Sequence, residues 1–256
     1  MFRPRVIPVM LVDDRGHAVK TTRFRKPLDL GDAVNTVSLF NAFKVDELVV
    51  LDITATRLGR RFPERLMADI ASEAQMPLAI GGGIRTCQDV YDLLHAGAEK
   101  VILSSAALAK PEFVREAAAT FASSSITVCI NATRDWLGRY RTLSPSRASA
   151  KVATPTEAAI LMEEMGAGEI IVQSVDQDGR MGGYDLALIN QVADAVGVPV
   201  IALGGAGEFD HLRAANAATH ASAFASGSLF CFQDRSRGVL ISYPGQDELA
   251  SLARLS

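Results

Sequence analysis

Two glycine-rich stretches carry the first chemistry legible in this chain. Ile80-Gly-Gly-Gly-Ile84 closes one short apolar run, and Leu203-Gly-Gly-Ala-Gly207 closes another. Glycine lets backbone N–H groups approach a phosphate closely, and the start of the helix that follows adds a favourable dipole. Some twenty residues beyond each run a second strand ends in hydroxyls, at Ser104-Ser105 and at Ser226-Gly-Ser228. Pairs of such loops build phosphate sites at the C-terminal face of barrels. A single glycine run is explained by a tight turn. Two of them, each partnered by serines, point to two anion sites and to a long ligand with phosphate or a similar anion at both ends.

The elements that must hold these loops repeat at half the chain length. Glu47-Leu-Val-Val matches Glu169-Ile-Ile-Val, Gly82-Gly83 matches Gly204-Gly205, and Ser104 matches Ser226, always 122 residues apart. Nearly continuous apolar runs suit strands covered on both sides, and they fall at 5–11, 47–52, 78–80, 100–103, 126–131, 169–174, 198–203 and 221–225. Helical periodicity occupies 32–43, 63–73, 88–96, 112–122, 156–165, 186–196 and 209–217. Thr86 marks a helix start, Thr154 to Glu157 with Pro155 reads as a capping box, and Gly97, Gly166 and Gly168 mark helix ends. Eight strands with intervening helices predict an α/β fold, a (β/α)8 TIM barrel made of two half-barrel repeats, as a single domain over 1–256. A doubly wound open sheet competes, but explains the half-length repeat less simply.

Composition removes several function classes. Lys and Arg number 26 against 29 Asp and Glu, a net charge of −3, which argues against a nucleic-acid partner. No apolar run approaches the roughly 20 residues of a membrane helix, and the first residues lack a leader pattern. The three cysteines, Cys87, Cys129 and Cys231, are far apart and show no metal-ligand spacing, so we expect buried thiols in the cytoplasm, no metal and no cofactor.

The strings IPVML, DELVVLDIT, GGGIRT, GAEKV, GAGEI, SVDQDG, GGYD and ALGGAG resemble the cyclase subunit of imidazole glycerol phosphate synthase, HisF, over nearly the whole chain. The resemblance implies a barrel that takes ammonia from a HisH-like glutaminase at its N-terminal face, as a heterodimer, and passes it to a bis-phosphorylated substrate at the other face. By motif, the phosphate residues would be Gly83, Ser104 and Ser105 on one side, and Asp178, Gly179, Gly205, Gly227 and Ser228 on the other. The charged ring that gates ammonia in that family corresponds to Arg5, Glu47, Lys100 and Glu169. Lys20 matches the first-loop lysine that helps close over substrate, and Asp52 and Asp176 end strands that should face the mouth. Asp52 is either a ligand contact or a structural partner of Lys20.

The chemical end departs from the family. Its acid–base pair consists of two aspartates, ending the first and fifth strands; here those positions are Leu11 and Asn131. Leucine exchanges no proton and an amide has no useful pKa near 7, so the about 10²–10⁴-fold that each group contributes should be lost. The related isomerase family, HisA, needs acids there too. Asp13 is the one nearby substitute. The string GSLFCFQDRSRGVLISYP resembles the HisF-like, WbuZ-like proteins of surface-polysaccharide clusters. There, a glutaminase makes ammonia, the barrel conveys it, and a separate sugar amidotransferase turns an acetamido group into an acetamidine. That resemblance implies a phosphorylated small molecule or sugar nucleotide as ligand. The long segment 131–153 carries Arg134, Arg139, Arg141, Arg147 and Lys151, most simply a solvated loop. Trp136 is expected to anchor it, and His95, His211 and His220 to be exposed or packed. His17 is the histidine expected nearest the mouth.

Overall fold

A computed structural model of the protein describes residues 3–143, 154–233, 236 and 238–253. Eight parallel strands close on themselves: β1 (Arg5–Val12), β4 (Leu48–Asp52), β5 (Leu78–Gly81), β6 (Lys100–Leu103), β7 (Ile126–Arg134), β9 (Glu169–Ser174), β10 (Val200–Leu203) and β11 (Ala223–Ser226), with β11 returning to pair with β1. Two antiparallel additions decorate the C-terminal ends. A hairpin, β2 (His17–Thr22) and β3 (Arg25–Asp32), follows β1, and β8 (Tyr140–Thr142) folds back on the extended end of β7. Helices α1 (Ala33–Phe43), α3 (Glu64–Glu73), α4 (Cys87–His95), α6 (Pro111–Phe121), α7 (Pro155–Glu164), α8 (Leu186–Ala193) and α9 (Phe209–Ala218) connect successive barrel strands. Short turns α2 (Ala55–Leu58), α5 (Ser105–Ala109) and α10 (Ser228–Cys231) sit in the loops after β4, β6 and β11, and α11 (Gln246–Ala250) ends the described fold. The expected (β/α)8 barrel is the observed one.

Strand alternation splits the core in two. Residues pointing outward, such as Val6, Val50, Ile80, Val128 and Phe224, pack under the helices. The inward set forms its own apolar cluster: Val9 lies beside Val49, Val49 beside Ala79, Cys129 beside Ile171, Ile171 beside Ile201, and Ile201 beside Ala223. Because the side-chain period is two, this register also fixes which strand-end residues look into the mouth. The helix starts follow the sequence. Thr86 accepts from Asp89 N and Thr154 from Glu157 N, each completed into a capping box, with Pro155 as the first residue of α7.

The half-length repeat is visible in atomic contacts. A Cβ on Gly82 would lie 2.5 Å from the carbonyl oxygen of Asp52, and one on Gly204 would lie 2.6 Å from that of Ser174. Both glycines have positive φ, 117° and 98°, so the two loops turn in the same way against equivalent strand ends. Among the described residues, no helix is long and apolar enough to cross a membrane.

Candidate functional site

Four charges close the N-terminal end of the bore. Arg5 ion-pairs with both Glu47 and Glu169, and Lys100 Nζ lies 3.4 Å from Glu47 and 3.0 Å from Glu169. The signs alternate around the ring, so each carboxylate faces two cations. Burial works against the charge on Arg5, but Glu169 and Glu47 more than offset it and hold its pKa above the ordinary value. Glu47 and Glu169 are almost fully buried. Above the ring the bore is apolar apart from Thr127, the Cα partner of Glu169, whose buried hydroxyl has no partner among the described residues. Burial pushes the Cys129 thiol, one layer higher, up to about 12, so it is uncharged at neutral pH.

The bore opens into a cavity of about 560 Å³ at the C-terminal face, a size suited to a small-molecule ligand. The first expected anion set lies together in its wall: Gly83, Ser104 and Ser105, with Gly82 and Arg85 beside them. Gly83 has φ 72°, and a Cβ there would sit 2.3 Å from the carbonyl oxygen of Arg60, so that position accepts glycine alone. The second set is arranged differently. Of Asp178, Gly179, Gly205, Gly227 and Ser228, only Asp178 and Gly227 reach the cavity wall. Ser228 is buried at the start of α10, and the Gly205 carbonyl accepts a backbone hydrogen bond from Gly183 N. Over them lies Lys20, which lines the cavity and donates to Asp178 Oδ1 at 3.0 Å and to the Thr21 carbonyl at 2.8 Å.

Asp52 is not the partner of Lys20, contrary to one expectation. Its Oδ1 accepts from Thr54 N, Thr54 Oγ1 and Ala55 N, and its Oδ2 faces Arg60 Nη1 at 2.7 Å. Arg60, on the loop after α2, takes that place, while Lys20 is held by Asp178. Asp176 does not reach the mouth: it accepts from Thr133 Oγ1 and Arg134 N, and lies 3.5 Å from Arg23, tying the two hairpins together. Asp13 is likewise spent. Desolvation would raise its pKa, but hydrogen bonds from Arg15 and His17 outweigh this and hold it below the ordinary carboxylate range, within the turn before β2.

Among the described residues Trp136 anchors nothing. It is 89% exposed at the tip of the β7–β8 hairpin, whose turn is organised by Asp135 instead. The long segment is thus a hairpin through Thr142; Arg147 and Lys151 fall outside the described residues. His17 pairs with Asp29, His211 with Glu208 and His220 with Asp194, while His95 stacks on Tyr91. Among the described residues no three His, Cys, Asp or Glu side chains gather as a metal site.

A model of the family described as histidine biosynthesis protein matches residues 5–235. The chain is 41% identical over 249 residues to a protein of Pseudomonas aeruginosa, covering 97% of this chain and 99% of the relative. It is 37% identical to one of Leptospira borgpetersenii, covering 98% and 99%, and 38% identical to one of Vibrio vulnificus, covering 97% and 95%. All three bear provisional names as imidazole glycerol phosphate synthase subunits of the HisF type. The chain belongs to the HisF-type histidine biosynthesis family.

As a HisF-like synthase subunit, it has an unusual mouth. Leu11 and Asn131 both line the cavity, at the two positions where the family resemblance expects the catalytic aspartates. The acids that do line the wall, Asp52 and Asp178, are each engaged by a cation, Arg60 and Lys20. Sequence reasoning missed Gln173, which is buried, lines the cavity and is the Cα partner of Asn131. Its signal was present: Glu169, Ile171 and Gln173 share one face of β9, so a residue of the charged ring at one end puts Gln173 in the mouth at the other.

Proposed function

We propose that this chain is the ammonia-conveying subunit of a glutamine amidotransferase system. A HisH-like glutaminase docks at the charged ring, ammonia passes up the bore, and it is delivered at the mouth for acetamido-to-acetamidino modification of a surface-polysaccharide sugar. In that modification the acetamide and ammonia give an acetamidine and water, the carbonyl oxygen leaving after a separate sugar amidotransferase has activated it. The observation that carries this reading is the asymmetry of the barrel: a complete four-charge ring below and a loop set of glycines and serines lining the mouth above, around a floor where Leu11 and Asn131 stand at the positions the family resemblance gives to proton-transferring groups. Thr127 supports it as a polar foothold for a small neutral solute in an otherwise apolar bore.

A second reading, an imidazole glycerol phosphate synthase cyclase of histidine biosynthesis, is favoured by the names of the relatives. It needs an acid that neither Leu11 nor Asn131 supplies and that Asp13, committed to its own turn, is badly placed to replace. A scaffold that only stimulates the glutaminase would need no anion site.

One assay separates them. Purified protein is given the HisF substrate and ammonium at alkaline pH, which bypasses any glutaminase. The expected result is no turnover while phosphate still binds. Turnover approaching that of an ordinary cyclase would restore the second reading.

A further inference from the structure

The inner end of the mouth is floored by two carboxamides. Asn131 and Gln173 sit side by side on β7 and β9, and Gln173 is 8% exposed. Their oxygens meet the Cys129 thiol, at 3.6 and 4.0 Å, and the Asn131 nitrogen lies 3.4 Å from Ser104 Oγ. The Gln173 side chain lines the cavity, and its nitrogen is not among the buried atoms left without a partner, so it is free to donate into the space a ligand would enter. A few polar groups placed in a largely apolar pocket fix the orientation of what binds there. Leu11, Leu51, Ile102 and Leu203 surround the pair. Such a floor penalises a charge severely and a hydrogen-bonded neutral group little. Each carboxamide offers a donor and an acceptor, so two in register complement a group that offers both in one plane. Ser104 links this floor to the anion loops, which places a phosphate next to the neutral group.

We propose that Asn131 and Gln173 form a subsite for an uncharged secondary carboxamide, on a ligand whose phosphate rests on Gly83, Ser104 and Ser105. The subsite lies directly above Cys129 at the head of the bore. In giving that amide a role as ammonia acceptor the inference rests on the function proposed above; as a binding site it stands alone.

Isothermal calorimetry on the full chain, without glutaminase or ammonia, tests it with three sugars at pH 7: N-acetylglucosamine 1-phosphate, glucose 1-phosphate and glucosamine 1-phosphate. The N-acetyl compound should bind about tenfold more tightly than glucose 1-phosphate, because a site built to hydrogen-bond a group discriminates against its absence. The cationic amine should bind most weakly. Gln173→Leu and Asn131→Leu should each abolish the N-acetyl preference measured within the same variant, and Asn131→Asp should turn the preference toward the amine. Equal affinity for the three sugars, a preference that survives both leucine substitutions, or no binding of any of them would overturn the proposal. The cyclase assay above is unaffected by these outcomes, so the two readings fail separately.

Discussion

Lys20 Nζ and Asp178 Oδ1 lie 3.0 Å apart, with side chains only 5% and 8% exposed, and join β2 to the loop after β9 across 158 residues of chain. The lysine also packs on Gly227, where a Cβ would come within 3.0 Å of its Cε. One contact therefore ties the first hairpin to the second glycine set at the wall of the cavity.

Removing one member of such a pair leaves the other charge buried and alone. Asp178→Ala should cost about 3–5 kcal/mol of stability, read as a lower urea midpoint with unchanged slope. It should also expose the β2–β3 hairpin to limited proteolysis before the barrel unfolds. Wild-type stability in the variant would show that Lys20 finds another partner or reaches solvent at little cost.

Two glycines in the same loop region predict different losses. Gly59 has φ 66° and open space where a Cβ would go, so Gly59→Ala should cost only the left-handed strain, about 1–2 kcal/mol. At Gly83 the same strain is joined by a backbone collision with Arg60, which adds about 1–3 kcal/mol. Gly83→Ala should also weaken phosphate binding, because the loop must shift to relieve the clash. Parallel unfolding and phosphate titrations of the two variants check both statements; equal losses would remove Gly83 from any special role.

Much of this was legible in the residues. The strand runs, the half-length repeat and the capping boxes at Thr86 and Thr154 are local patterns, and the barrel follows from their number and order. The ring of Arg5, Glu47, Lys100 and Glu169 was legible through the family resemblance, and each residue opens its strand or stands just before it. What local pattern does not carry is partner choice between loops. For Asp52 the sequence offered a ligand contact or Lys20, and only the fold shows that Arg60 takes it and that Asp178 takes Lys20. Nor does a one-strand pattern reveal the β7–β8 turn, where Asp135 accepts four hydrogen bonds and leaves Trp136 in solvent. Gln173 escaped because its signal is indirect: the two-residue period from Glu169 puts it on the inner face of β9, and the register with Asn131 then shows what it meets.

That turn carries a pH dependence with a convenient reporter. Desolvation would raise the Asp135 pKa, but hydrogen bonds from Arg139, Arg141 and Leu137 outweigh it and lower the value to about 2. A depressed carboxylate stabilises the folded turn fully above its unfolded value near 3.9, and that contribution fades as pH falls through about 2. Trp136 is the one tryptophan in the chain. Its emission and anisotropy should stay constant above pH 4 and change below it. In Asp135→Ala the neutral-pH signal should already be that of a loosened tip. A Trp136 signal indifferent to Asp135→Ala would break the link.

The charged ring predicts non-additive energetics. Lys100→Met leaves Glu47 and Glu169 buried opposite Arg5 alone, and should cost about 3–5 kcal/mol. Glu169→Gln leaves two cations facing Glu47, and is expected to destabilise as well. The double variant restores one cation to one anion, so its loss should fall short of the sum by about 0.5–3 kcal/mol, the usual coupling between residues in one network. A double-mutant cycle from urea unfolding measures that coupling directly. Additive losses would mean the four charges act as separate surface pairs, each screened by water, and a ring of that kind would be too loose to close the bottom of the bore.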